Sequence, residues 1–223
     1  MRAAHSADRS HTLSEPASKA LLAEYGVPCA PEQVVATPDA AVAAARQFGT
    51  PVVVKLSGDR IAHKTERGLV RLSLYGPDEV AAAAQELLSG ARPEDGAVAL
   101  LVAPMLNATR ELIAGLHDDP QFGVCVMVGI GGVLSEAIAD VAFRLAPIDA
   151  GDAHEMLDDL HAQAVLGPVR GEPAVDRDAV VAVLVALSRL ADARPELVSV
   201  DVNPLLIVDG KPIAVDALVE VRS

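Results

Sequence analysis

Tryptophan is absent from the 223 residues, and aromatic side chains make up only 2% of them, two Tyr and three Phe. Proteins that bind single-stranded nucleic acid stack bases on aromatic platforms, so this scarcity argues against nucleic acid as a partner. Positive charge is also short, with 18 Lys and Arg against 31 Asp and Glu and a net charge of −13. Such a surface repels phosphate backbones and anionic lipid, so any anionic ligand must meet a local cationic pocket. The two cysteines, Cys29 and Cys125, show no C-x-x-C or Cys/His spacing. That excludes a disulfide framework and a structural zinc site, and makes a reducing cytoplasm the expected location. The longest apolar run, residues 122–134, holds four glycines and is too short to span a bilayer. Residues 1–12 are polar and lack the apolar centre of a signal peptide. No membrane association is expected.

Aliphatic residues are plentiful. Hydrophobic residues amount to 51% and charged ones to 22%, enough for a sizeable core. Residues 1–12 read as a tail. Ser14, Pro16 and Gly26 bracket a first helix, and residues 33–36 form a short strand. Thr37-Pro38-Asp39 starts an Ala-rich helix that stops at Gly49. The β-branched run 51–56 predicts a buried strand with 69–74 beside it, then a helix from Gly76-Pro77 to about residue 88 and a strand at 97–102. The second half predicts strands at 111–116, 123–128 and 141–145, helices at 152–160 and 176–193, a loop at 161–175 and a terminal β pair, 198–208 with 211–219. Pro104 marks the expected hinge. The expectation is an α+β chain with a tail (1–12), an N-terminal lobe (13–104) and a C-terminal lobe (105–223).

Positive charge is concentrated in one place. Residues 55–71 hold Lys55, Arg60, Lys64, Arg67 and Arg71 against Asp59 and Glu66, a net +3. A cationic loop between two strands of an acidic protein suits a polyanion such as a nucleotide phosphate tail; a solvated hairpin tip is the plainer reading. Gly58, Lys64 and Thr65 approach a P-loop, but His63 stands at the second glycine position, where a β-carbon obstructs the backbone cradle. Gly129-Ile130-Gly131-Gly132 follows a strand, yet Leu134 replaces the last glycine of a dinucleotide fingerprint. His63 lies among Arg60, Lys64 and Arg67, which favour a neutral imidazole. Such a group can attack phosphorus while the cations neutralise phosphoryl oxygens. The alternative is a surface histidine without a role.

Asp209-Gly210 between two apolar runs is a strong hairpin signal. A two-residue loop pairs 208 with 211 and carries Asn203 opposite Asp216, with Asp201 on the same face. Oxygen ligands converging from paired strands suit Mg²⁺. Pro204 cannot donate to the ladder, so a bulge there would shift one side chain to the other face. An acidic hairpin without a ligand is the competing reading. His154, Glu155, Asp158, Asp159 and His161 read as an exposed acidic helix, residues 117–120 as a turn, and Ser135 lacks the nucleophile-elbow pattern.

The stretches PVVVKLSGDRIAHKTERGLVRLSL, RELIAGLHDDPQFGVCVMVGIGGVLSEAIADVAFRLAPI, GPVRGEP and VDVNPLLIVDGKPIAVDA, in this order, resemble the ATP-grasp domain of ADP-forming acyl-CoA synthetases. That family includes ADP-forming acetate–CoA ligase and is related to the β chain of succinyl-CoA synthetase. The resemblance spans about residues 14–221. It implies an ATP-grasp fold, two α+β lobes with a nucleotide cleft, and ATP/ADP with Mg²⁺ as cofactors. By position, Lys55 would contact the nucleotide phosphates and Glu111 would line the nucleotide pocket. Lys64, Arg67, Gly131 and Gly132 complete the expected nucleotide-binding set. Asn203 and Asp216 would hold Mg²⁺, and His63 resembles the histidine that carries a phosphoryl group to or from the nucleotide.

The implied reaction interconverts acyl-CoA, ADP and phosphate with carboxylic acid, CoA and ATP. The CoA-binding domain with its own phosphorylated histidine is not among these residues. The resemblance therefore implies a separate CoA-binding α-type subunit, through which CoA and the carboxylic acid are engaged. A non-catalytic or regulatory nucleotide-binding module is the alternative. The chain departs from the family pattern at Gly68-Leu69-Val70, usually Gly-Gly-Val, and at Ala103-Pro104, where a polar pair is common.

Overall fold

The computed structural model describes residues 10–58, 60–61, 64, 67–132 and 139–222. In chain order its first elements are β1 (Ser10–Thr12), α1 (Glu15–Glu24), β2 (Gln33–Val35), α2 (Pro38–Phe48), β3 (Val52–Ser57), β4 (Val70–Leu74), α3 (Pro77–Ser89) and β5 (Ala99–Pro104). There follow β6 (Glu111–Asp119), β7 (Gly123–Ile130), β8 (Val141–Leu145), α4 (Ala150–Asp159), α5 (Gln163–Leu166), α6 (Arg177–Ala193), β9 (Leu197–Val208), β10 (Lys211–Ala214) and β11 (Leu218–Arg222).

The chain divides into two compact units. Of the described residues, the smaller contains Ser14–Pro16 and those from Ala30 to Asn107; the larger contains Ser10–Leu13, Ala17–Cys29 and those from Ala108 onward. The division differs from the expected 13–104 and 105–223 lobes in two places. The boundary follows Asn107 rather than Pro104, and residues 17–29 go with the second half of the sequence. Burial is the reason: Leu21, Leu22 and Val27 enter the same apolar core as Leu112, Val200 and Val219.

The smaller unit is an antiparallel sheet in the order β2-β5-β3-β4. Helices α2 and α3 pack against each other and against this sheet. Thr37 starts α2 by accepting a hydrogen bond from the Ala40 amide at 3.2 Å, a cap worth about 1 kcal/mol. Gly49, at φ 78°, ends it. β3 is buried throughout, and two-residue alternation gives its faces different fates. Val52, Val54 and Leu56 join the core with Ala41, Ala44, Val80 and Leu87. Lys55 therefore falls on the opposite face.

The larger unit is an antiparallel sheet in the order β1-β11-β9-β6-β7-β8, with β10 paired to the far half of β9. Leu112, Ala114, Leu116, Val126, Val128, Val200 and Val202 pack into one core with Met156 and Leu157 of α4 and Leu184 and Leu187 of α6. By alternation Glu111, Gly115, Asp201 and Asn203 lie on the other face. Ser10–Thr12, expected as part of a tail, pair with residues 220–222 as an edge strand. Residues 117–119, expected in a turn, continue β6 until the Asp119 carboxylate accepts from the Gln121 and Phe122 amides. The expected strand 211–219 is broken into β10 and β11. Pairing is the predicted one on both sides of the break, Val208 with Lys211 and Leu205 with Ala214, then Asp201 with Leu218. The ladder stops opposite Pro204, which has no N–H to donate. Its carbonyl still accepts from the Val215 amide at 3.3 Å. No helix among the described residues is long and apolar enough to cross a membrane.

Candidate functional site

In the smaller unit, Lys55 is only 8% exposed although it carries a charge. Its Nζ donates to Oε1 of Glu15 at 2.6 Å, and Lys64 Nζ donates to Oε2 of the same carboxylate at 2.7 Å. Glu15 is 1% exposed. Burial pushes its carboxyl up, but the two ammonium charges and their hydrogen bonds outweigh this and hold it below the usual carboxylate value. Removing one member of such a buried ionic group commonly costs about 3–5 kcal/mol, because the remainder is left uncompensated.

A second ion pair fixes the other end of the cationic loop. Arg67 donates to both oxygens of Asp95, at 2.7 and 2.9 Å, and the Arg92 amide donates to Oδ2 at 2.8 Å. Asp95 closes the short 3₁₀ turn Pro93–Asp95. The Arg67 hydrogen bonds, followed by the Arg92 amide, hold its carboxyl down at about 2. Arg67 Nε is buried and has no acceptor among the described residues. The Leu69 amide donates to the Lys64 carbonyl at 2.8 Å.

In the larger unit, Gly131 donates to the Glu111 carbonyl at 2.8 Å. A β-carbon at Gly131 would stand 3.0–3.1 Å from Glu111 atoms, so a side chain there would crowd the start of β6. Gly132, at φ 97°, adopts a backbone conformation that L side chains rarely take. Asn203 and Asp201 sit on β9, and Asp216 lies between β10 and β11. The unchanged pairing offset on either side keeps Asn203 level with Asp216. The Asp201 side chain reaches solvent, yet enough protein surrounds its carboxylate that partial burial raises its pKa, with the Asp216 charge adding to the rise. Two repelling carboxylates beside an amide form an all-oxygen donor set short of positive charge, which fits Mg²⁺. Among the described residues there is no group of three His, Cys, Asp or Glu suited to a metal.

The structure thus brings Lys55 and Lys64 together and places Arg67 on Asp95. In the other unit it sets Gly131 against Glu111 and Asp216 near Asp201. His63 lies outside the described residues. Sequence reasoning did not single out Glu15, which sits 40 residues before Lys55, nor Asp95; no local spacing signals either partnership. It also passed over Arg110, which is 4% exposed and donates to the Gly167 carbonyl at 2.9 Å and the Pro173 carbonyl at 2.6 Å. Arg110 also pairs with Glu172 at 3.2 Å, securing the loop that contains GPVRGEP. The acidic helix read at 152–160 is confirmed as a solvated one: Asp159 pairs with Arg144, Asp158 with Arg177, and His154 with Asp178.

A model of the ATP-grasp domain matches residues 4–221. The chain is 36% identical to the β subunit of ADP-forming acetate–CoA ligase I from Pyrococcus furiosus, over 92% of this chain and 90% of that protein. It belongs to the ATP-grasp family of ADP-forming acetate–CoA ligase subunits. Solved structures agree. A Ca. Korarchaeum cryptofilum dinucleotide-forming acetyl-coenzyme A synthetase 1, in complex with coenzyme A, Ca-AMPCP and HgCl⁺, superposes with a TM-score of 0.88 at 32% identity, covering 95% of this chain and 94% of that one. A second form of that synthetase, with coenzyme A and Mg-AMPPCP and its phosphohistidine segment pointing towards the nucleotide binding site, gives 0.81 at 33% identity, with coverage of 95% and 93%. The mixed α/β ATP-grasp architecture expected from the sequence is therefore the one observed. Relatives named as ligases support a catalytic nucleotide-binding chain over the non-catalytic module.

Proposed function

We propose that this chain is the nucleotide-binding subunit of an ADP-forming acid–CoA ligase, moving a phosphoryl group between ADP and a histidine. The observation that supports this best is the convergence of Lys55 and Lys64 on one buried carboxylate, in a protein otherwise rich in negative charge. Those ammonium groups form a local cationic centre suited to nucleotide phosphates. Each lysine side chain keeps about a tenth of its surface exposed.

In the direction of ATP synthesis, the phosphoryl group on His63 is transferred to a terminal phosphate oxygen of ADP. The N–P bond breaks as the new P–O bond forms, and the imidazole is left neutral. Lys55, with Lys64, offsets the charge on the phosphate oxygens, while Glu111 and the turn at Gly131 and Gly132 line the nucleotide's place. Asn203 and Asp216, with Asp201 beside them, would hold Mg²⁺, which when bound supplies further charge neutralisation to the phosphates. CoA and the carboxylic acid are engaged by a partner α-type subunit that carries its own phosphorylated histidine. The Pyrococcus relative's designation as a β subunit supports that division.

The test is ATP–ADP phosphoryl exchange in the presence of the partner. His63→Ala is expected to abolish exchange while leaving ADP affinity within about two-fold. Exchange that persists in this variant would remove His63 from the mechanism. Asn203→Ala and Asp216→Ala are each expected to weaken Mg²⁺-dependent nucleotide binding about ten-fold or more, measured by calorimetric titration. Unchanged affinity in both would overturn the metal assignment.

A further inference from the structure

We infer that Glu15 is a positioning residue of the nucleotide site, holding the ammonium groups of Lys55 and Lys64 side by side. The inference rests on the reading of Lys55 as a phosphate contact. Three observations carry it. Glu15 is buried at the start of α1 and grouped with the smaller unit through Ser14–Pro16. Its two oxygens are divided between the lysines, one each, at 2.6 and 2.7 Å. The lysines come from different elements, Lys55 from β3 and Lys64 from the following loop, so neither backbone alone sets their separation.

Two ammonium groups held this close repel each other, and a carboxylate that takes one hydrogen bond from each offsets that repulsion. Among the described residues, the charged groups acting on Glu15 are Lys55 from β3 and Lys64 from the loop, and they keep it ionised. Replacing Glu15 by Gln preserves its size but removes the charge, and its amide nitrogen then faces one of the ammonium groups. That lysine would turn away, and the two donors would no longer be presented to the phosphates together.

The experiment is calorimetric titration of ADP into the 223-residue chain at about pH 8, where the ADP phosphates are fully ionised. It compares wild type, Glu15→Gln, Glu15→Asp, Lys55→Met and the double variant Glu15→Gln/Lys55→Met, with folding checked by circular dichroism. Glu15→Gln is expected to lose about ten-fold in affinity, and Glu15→Asp, which keeps the charge but shortens the reach, less than that. The double variant is expected to bind no more weakly than Lys55→Met, because Glu15 acts through that lysine. A folded Glu15→Gln protein with wild-type affinity would overturn the inference, as would losses that add in full. Should Glu15→Gln fail to fold, Glu15→Asp decides: its loss must be non-additive with Lys55→Met, and an additive loss overturns the role. Wild-type affinity in Lys55→Met would instead refute the phosphate-contact reading itself, a separate result.

Discussion

Asp201 and Asp216 lie close enough for the charge of Asp216 to help raise the pKa of Asp201. The carboxylates come from β9 and from the segment between β10 and β11, brought near each other by the hairpin turn at Asp209-Gly210. A raised carboxylate disfavours the folded state once it ionises. Stability from this group is therefore greatest at low pH and falls as pH rises from its ordinary value of 3.8 through the raised one. Asp201→Asn should raise the thermal midpoint at neutral pH in the presence of a chelator. The same variant should show a smaller stabilisation by millimolar Mg²⁺ than wild type. A midpoint that falls in chelator would show that the repulsion is not felt.

Asp95 works in the opposite sense. Its carboxyl is held down at about 2 by the Arg67 hydrogen bonds and then by the Arg92 amide. A depressed carboxylate contributes stability that is fully present above 3.8 and is lost as pH falls toward 2. Asp95→Asn should lower the thermal midpoint at pH 7 and leave the variant and wild type closer together near pH 2. Acid titrations of both proteins, followed by circular dichroism, test this directly.

Gly115 is a packing requirement in the sheet of the larger unit. It pairs with Asp201 across β6 and β9, and a β-carbon there would stand 2.4 Å from the Val200 carbonyl oxygen. The obstacle is backbone, so the strands must move apart. Gly115→Ala is expected to destabilise by at least about 1–3 kcal/mol, and by more than Gly131→Ala, whose nearest contact is 3.0 Å. Urea unfolding of the two variants gives the ranking. Equal or negligible losses would mean that the strands yield easily.

Arg110 secures the loop after α5 through the carbonyls of Gly167 and Pro173 and through Glu172. Arg110→Met keeps much of the apolar stem but removes these donors. A loss of roughly 1–3 kcal/mol is expected, with faster amide exchange concentrated at residues 163–175. Exchange spread evenly over the larger unit would contradict a local clamp.

Much of the framework was legible because its signals are local. Thr37-Pro38, Gly76-Pro77 and Asp209-Gly210 mark helix starts and a hairpin through backbone preferences that act over two to four residues. Two-residue alternation placed Asp201 with Asn203, and the observed pairing on both sides of Pro204 follows from the turn length. The run 51–56 read as a buried strand, and it is one.

By itself, the sequence determined most of the order of helices and strands, the ATP-grasp family and the residue types available for anionic and metal ligands, since periodicity, capping and motif spacing are properties of neighbouring residues. Only the tertiary structure decided that Glu15 meets Lys55 and Lys64, that Asp95 takes Arg67, that Ser10–Thr12 closes a sheet edge beside residues 220–222, and that residues 17–29 pack with the second half of the chain. These partnerships join positions as much as 212 residues apart. Burial and charge compensation select them once the chain has collapsed, and neither force imposes a fixed spacing along the sequence.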